Sequence, residues 1–108
     1  MKILFVENHS IFAKQVIGCF LSAHKVTVIP SLAEARAALT NNEYDVVLVD
    51  YDLDDGKGTE LIRELRQRGS TLRIIGVSAR EDGNKELLKA GANAVCSKMK
   101  FDQIQELL

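Results

Sequence analysis

Glu7, Asn8, Asp50, Ser78 and Lys98 each stand at or just beyond the end of a short apolar run. Asp50 follows Val46-Val47-Leu48-Val49, which places it at the edge of a low-dielectric interior, and Glu7 follows Ile3-Leu4-Phe5-Val6 in the same way. If those two runs are neighbouring strands, two carboxylates and the Asn8 amide converge. Carboxylates brought together raise each other's pKa or take up a cation. Three oxygen-bearing side chains suit a hard divalent ion, and Mg2+ is held by one or two carboxylates while keeping several waters. Ser78 adds a hydroxyl and Lys98 a positive point charge. A carboxylate nucleophile, a metal that neutralises phosphate oxygens, a hydroxyl donor and a lysine are the components of phosphoryl transfer onto an aspartate. Each residue alone has a plainer reading: an acid that opens a loop or helix, a serine that caps one, a solvated lysine. The set, spread over four strand ends, is what points to chemistry.

The elements that must position these residues alternate along the chain. Strands are expected at residues 3–6, 26–29, 46–49, 74–77 and 94–96, all short apolar or β-branched runs of the kind found in sheets covered on both faces. Between them lie helix-period segments. Ser10 is a candidate cap for a first helix with Phe12, Val16 and Phe20 inward and Ile17 beside them. Ser31 with Glu34 forms a capping box for a second, with Leu32, Ala35 and Leu39 inward. A third runs from about Thr59, with Leu61, Ile62 and Leu65 inward, and stops at Gly69. A fourth lies near 86–89, with Leu87 and Leu88 inward and Gly91 as its stop. Phe101, Ile104 and Leu108 begin a short last helix of about two turns. Five strands alternating with helices predict an α/β domain with a parallel sheet and right-handed crossovers. In such a domain the functional crevice lies at the carboxyl ends of the strands.

Bulk properties agree. The chain has 108 residues, 46% hydrophobic and 27% charged, with a net charge of −1. That is one domain, residues 1–108, with no second core. No basic excess calls for direct nucleic-acid binding, and no apolar run is long enough for membrane insertion or a signal peptide. Cys19 and Cys96 have no metal-ligand spacing and are expected as reduced, buried thiols, which fits a cytoplasmic location. His9 lies beside the acidic site, where it could line the site or add a metal contact, with a solvated loop residue the favoured reading; His24 is expected at the end of the first helix, where a cation suits the dipole. Gly56 and Gly58 lack a Walker lysine or dinucleotide fingerprint and are read as turn residues.

The run from Leu48 to Leu61, with Asp50-Tyr51-Asp52 at its start, resembles the phosphorylation segment of the response-regulator receiver domain of two-component signalling. Residues 3–8 resemble that family's first strand and acidic pair, Val77-Ser78-Ala79 its hydroxyl motif, and Gly91-Ala92-Asn93-Ala94 with Lys98 its fifth-strand signature. The resemblance spans essentially the whole chain. It implies a doubly wound, flavodoxin-like (βα)5 fold with strand order 2-1-3-4-5. It implies that Asp50 is the phosphoacceptor, taking a phosphoryl group from a sensor histidine kinase or phosphotransfer protein. Glu7, Asn8, Asp50 and the backbone carbonyl of Asp52 would hold Mg2+; Ser78 and Lys98 would bind the phosphoryl oxygens. No enzymatic turnover of a separate substrate is implied beyond the chain's own phosphorylation and dephosphorylation.

Some positions depart from the family pattern. Asn8 replaces the usual metal-touching aspartate, so weaker Mg2+ binding is expected. Val95 stands where an aromatic switch residue is usual. Met99 follows Lys98 where a proline is typical; a cis bond without proline costs about 2.5–4 kcal/mol, so a trans bond is expected. Asp52 and Arg80 occupy the variable positions flanking the acceptor, and a salt bridge between them is set against two uncoupled surface charges. The leading reading is a phosphoacceptor signalling switch. The alternative is a degenerate, phosphorylation-independent receiver that acts as a protein-interaction module; a flavin or nucleotide binder fails for want of a glycine-rich loop after the first strand. No output domain is expected within residues 1–108. Output would pass to an unknown downstream protein, to another histidine protein by relay, or to a domain outside these residues, and apolar surface beside the short last helix would serve a homodimer.

Overall fold

The computed structural model describes residues 1–108. Its elements in order are β1 (Lys2–Val6), α1 (Ser10–Phe20), β2 (Lys25–Ile29), α2 (Leu32–Asn41), β3 (Val46–Asp50), β4 (Asp52–Leu53), β5 (Gly56–Lys57), α3 (Gly58–Gln67), β6 (Arg73–Ser78), α4 (Glu81–Ala90), β7 (Ala94–Ser97) and a 3-10 helix (Lys98–Glu106). The main sheet is parallel, in the order β2-β1-β3-β6-β7. Its five strands are the five expected from the apolar runs, in the expected 2-1-3-4-5 arrangement. The fold is therefore doubly wound and flavodoxin-like. The added antiparallel pair β4–β5 shapes the loop after Asp50.

Strand alternation sorts the core into two layers. Leu4, Val6, Val47, Val49 and Ile74 face Leu32, Ala35, Leu61, Ile62, Leu65 and Leu87 of α2, α3 and α4. Ile3, Phe5, Val46, Leu48, Ile75 and Val77 face Ala13, Val16, Phe101 and Ile104 of α1 and the 3-10 helix. Both faces of β3 are covered, which is why its whole length reads as apolar.

Local expectations fare unevenly. Ser31 caps α2 as expected, accepting from Glu34 N at 3.2 Å. A second cap comes from far along the chain: Asp55 takes the N–H groups of Leu32 and Ala33 at 2.8 and 3.0 Å. Those bonds hold its carboxyl below the usual carboxylate range. Gly69 and Gly91 end α3 and α4 with positive φ, as expected. Ser10, by contrast, is the first helical residue of α1; His9 holds the cap position and no side chain fills it. Leu88 is not inward but 49% exposed, because Leu87 alone faces the sheet and the next residue is turned about 100° away. Cys19 is exposed rather than buried, and only Cys96 is inside; both are free. Helix α1 stops at Phe20, so His24 lies in the following turn and not in the last turn of the helix. The last helix is of the 3-10 type, begins at Lys98 and breaks its geometry at Lys100. Three residues per turn place Phe101 and Ile104 on one face, and Phe101 stacks on Phe5 at 6.0 Å with Phe12 at its edge. All peptide bonds are trans, Lys98–Met99 included.

Two glycines separate packing from propensity. A Cβ at Gly58 would stand 2.0 Å from the Asp50 carbonyl oxygen, a backbone atom that cannot yield, whereas one at Gly18 would meet nothing within 4 Å. Gly58→Ala is expected to lower stability by about 2–3 kcal/mol, and Gly18→Ala, in an exposed turn of α1, to raise it by about 0.5–1 kcal/mol. Urea unfolding of the two variants checks both signs.

Candidate functional site

Parallel pairing of β1 with β3 sets Val6 beside Val49, so the next residues of each strand, Glu7 and Asp50, emerge together at the carboxyl edge of the sheet. Both are buried, Glu7 at 1% and Asp50 at 4% exposure. Lys98, the residue that follows β7, reaches between them. Its Nζ is 2.8 Å from Glu7 Oε1 and 3.1 Å from Asp50 Oδ2. The Lys98–Glu7 approach is an ion pair lying off the angle of a hydrogen bond, so Glu7 Oε1 receives no directed proton. The lysine Nζ also lies 4.9 Å over the Phe12 ring. Asp50 Oδ1 accepts from Tyr51 N at 2.8 Å.

Burial pushes the Asp50 carboxyl up to about 6; Glu7 pushes the same way, and Lys98 opposes both. The acid is thus held ionised at neutral pH chiefly by one ammonium.

Ser78 ends β6 and is buried; its Oγ accepts from Arg80 N at 3.2 Å, which leaves the hydroxyl proton free to be donated elsewhere. Gly83 in the first turn of α4 makes room there: a Cβ at that position would come within 2.7 Å of Ser78 Oγ. The Asn8 side chain donates to Asp54 Oδ1 at 3.0 Å, which fixes the amide and leaves its Oδ1 buried with no partner.

The sequence-expected site residues therefore meet as follows. Glu7, Asp50 and Lys98 are in direct contact. Asn8 and Ser78 stand on the adjoining strand ends, and Asp52 opens the β4–β5 hairpin. The Asp52 side chain is exposed. Arg80 Nη2 lies 3.8 Å from Asp52 Oδ2, a long surface pair worth about 0–1 kcal/mol. The nearer partner of Asp52 is Lys57, missed in the sequence, which holds the carboxylate below its usual range. Lys57 and Arg80 both lie over the Tyr51 ring, at 5.0 and 5.7 Å. His9 is a solvated loop residue, with 64% of its side chain exposed, and it also lines the site: its Nδ1 is 3.0 Å from Glu7 Oε2 and 4.0 Å from Asp50 Oδ2. Its position two residues after a strand-end acid was the available signal.

A doubly wound sheet whose carboxyl edge carries a buried acid pair bridged by a lysine, with a hydroxyl on the neighbouring strand, defines a receiver-type domain. The family model described as the response regulator receiver domain matches residues 3–108, and the chain belongs to that family. It is 28% identical over 112 residues to the two-component response regulator PhoP of Pseudomonas aeruginosa, covering 100% of this chain and 50% of that protein. The chain thus spans about half the length of the curated regulator it matches. Among solved structures, the receiver domain of the TMAO respiratory system response regulator TorR is 31% identical, with a TM-score of 0.81 over 98% of this chain and 88% of that one. The response regulator TrrA of Thermotoga maritima, in complex with Mg2+-BeF, shares the fold at 21% identity, with a TM-score of 0.83 over 97% of this chain and 93% of that one. No helix is long and apolar enough to cross a membrane.

The raised Asp50 carboxyl has a sign that can be measured. Between about pH 4 and pH 6 the folded protein binds more protons at this residue than the unfolded chain, so its contribution to stability falls as pH rises through that window. Asp50→Asn removes the dependence. In metal-free buffer the variant is expected to be more stable than the wild type at pH 7.5 by roughly 1–3 kcal/mol, the gain shrinking as pH drops from about 6 to about 4. Urea unfolding at a series of pH values checks this. A gain that stays constant with pH would contradict the burial argument.

Proposed function

We propose that the chain is a phosphoacceptor switch in which Asp50 takes a phosphoryl group from a phosphohistidine of a sensor histidine kinase or phosphotransfer protein. The observation that carries this reading is the buried Asp50, ionised by Lys98 and set beside a second buried acid, Glu7. An Asp50 carboxylate oxygen attacks phosphorus; the phosphorus–nitrogen bond breaks, the imidazole leaves, and an acyl phosphate remains on Asp50. Lys98 holds Asp50 before transfer and shares its charge with a phosphoryl oxygen afterwards. Ser78 donates its free hydroxyl proton to another. The chain's catalysis is confined to its own phosphorylation and dephosphorylation.

Mg2+ fits the residues present. Glu7, Asn8, Asp50 and the Asp52 carbonyl would hold it, and the buried, unpartnered Asn8 Oδ1 is an oxygen of the kind a hard cation binds. The ion supplies neutralisation of phosphoryl oxygens during transfer. Asn8 lacks the charge of an aspartate, which weakens the hold. The 3.8 Å approach of Arg80 to Asp52 supports a role for this pair in slowing attack of water on the acyl phosphate.

A cytoplasmic location, a downstream protein that reads the phosphorylated state and self-association belong to the same reading. The amide at Asn8 and the absence of an aromatic ring at Val95 favour the second one, a receiver that binds its partner without phosphorylation.

Intact mass after incubation with a small phosphodonor decides between the two. One Mg2+-dependent phosphoryl group is expected on the wild type and none on Asp50→Asn. Failure to label with both a small donor and a phosphohistidine protein would favour the constitutive binding module. Arg80→Ala is expected to shorten the phosphoryl lifetime severalfold, as a change of about 1 kcal/mol in the barrier would; an unchanged lifetime removes Arg80 from the mechanism.

A further inference from the structure

We infer that His9 is a direct metal ligand in this chain and that the site therefore selects a first-row transition-metal dication, such as Mn2+ or Co2+, over Mg2+. The inference rests on the metal-assisted receiver reading above and adds to it a ligand and a preference. Its first support is geometric. Glu7, His9 and Asp50 each offer a ligand atom within 4.8 Å of the others. His9 Nδ1 stands 3.0 Å from Glu7 Oε2 and 4.0 Å from Asp50 Oδ2. In an octahedron with bonds of about 2.1 Å, adjacent ligands are about 3.0 Å apart and opposite ligands about 4.2 Å apart. The two separations match an adjacent and an opposite pair.

The second support is an unused donor atom. Asn8 Oδ1 is buried without any partner, whereas the buried Glu7 Oε1 is already met by the Lys98 ammonium at 2.8 Å. A buried acceptor left without a proton is costly unless something positive completes it. The His9 ring is 64% exposed on its side chain, so it can turn onto an ion without unpacking the core, and water has access to the remaining positions.

The preference follows from ligand type. At position 8 an aspartate would give the site hard, charged oxygen; the amide there gives oxygen without charge. Imidazole nitrogen at position 9 adds little for Mg2+, which is bound through oxygen, but adds affinity along the series from Mn2+ to Ni2+. The two neighbouring residues thus move the site in one direction.

The test is calorimetric titration of the chelator-treated protein with Mg2+ and with Co2+, together with visible absorption of the Co2+ form. The terminal amine lies 3.3 Å from His24 Nδ1, so a His24→Ala background removes that competing pair of nitrogens. Co2+ is expected to bind at least about tenfold more tightly than Mg2+. His9→Ala should weaken Co2+ by about tenfold or more, shift its absorption bands and leave Mg2+ within about threefold. His9 is exposed, and circular dichroism of the variant verifies its fold. If both ions bind, both depend on Asp50, and His9→Ala leaves their ratio and the Co2+ spectrum unchanged, the His9 assignment is overturned while the receiver site stands. If neither ion binds, or binding survives Asp50→Asn, the metal-assisted reading fails and this inference with it.

Discussion

Two carboxylates at the ends of adjacent buried strands repel each other, and the fold keeps them because a single ammonium lies between them. Everything else at the carboxyl edge of the sheet is arranged around that compensation. The strands bring Glu7 and Asp50 together because parallel pairing leaves no freedom once Val6 lies beside Val49. The 3-10 helix delivers Lys98 because Phe101 and Ile104 anchor the segment that follows it in the core. Phe12 serves both ends, packing on Phe101 and lying under the lysine. Removing the ammonium would leave an uncompensated buried charge, an arrangement much more costly than an exposed pair would be.

Much of this was legible in the sequence because burial leaves a periodic signature. Val46 to Val49 could only be a strand covered on both faces, and the acid that follows it could only lie at an edge. The same logic applied to Ile3–Val6 and Ile74–Val77 exposed the strands and the residues at their ends; the strand order, and with it the meeting of Glu7, Asp50 and Lys98, rested on the resemblance to the receiver family. Periodicity failed where it leaves the orientation of a face open. Leu87 and Leu88 are equally apolar, and only packing decides that one is enclosed and the other is not. Phe101 and Ile104 are three apart, a spacing shared by α and 3-10 helices.

Contacts between loops left no pattern at all. Lys57 beside Asp52 and Asp55 at the start of α2 join residues by position in space, and no local rule announces them. Arg66 is the extreme case. It reads as one more helix charge, yet its guanidinium donates to the carbonyls of Ser70, Leu72 and Gly91 and to Asn93 Oδ1, tying α3 to the loops around β6 and β7.

The two bonds from Asp55 to the first turn of α2 make the acceptor loop a strut. One end is rooted in β3 at Asp50, and the other carries two of the N–H groups that α2 cannot satisfy by itself. The strut is short and its far joint has a narrow tolerance: a displacement of about 1 Å takes both bonds out of range. Helix α2 is therefore a mechanical gauge of the loop, and fraying at Leu32 and Ala33 would report, from the opposite flank of the sheet to the 3-10 helix, how far the backbone around Asp50 has moved.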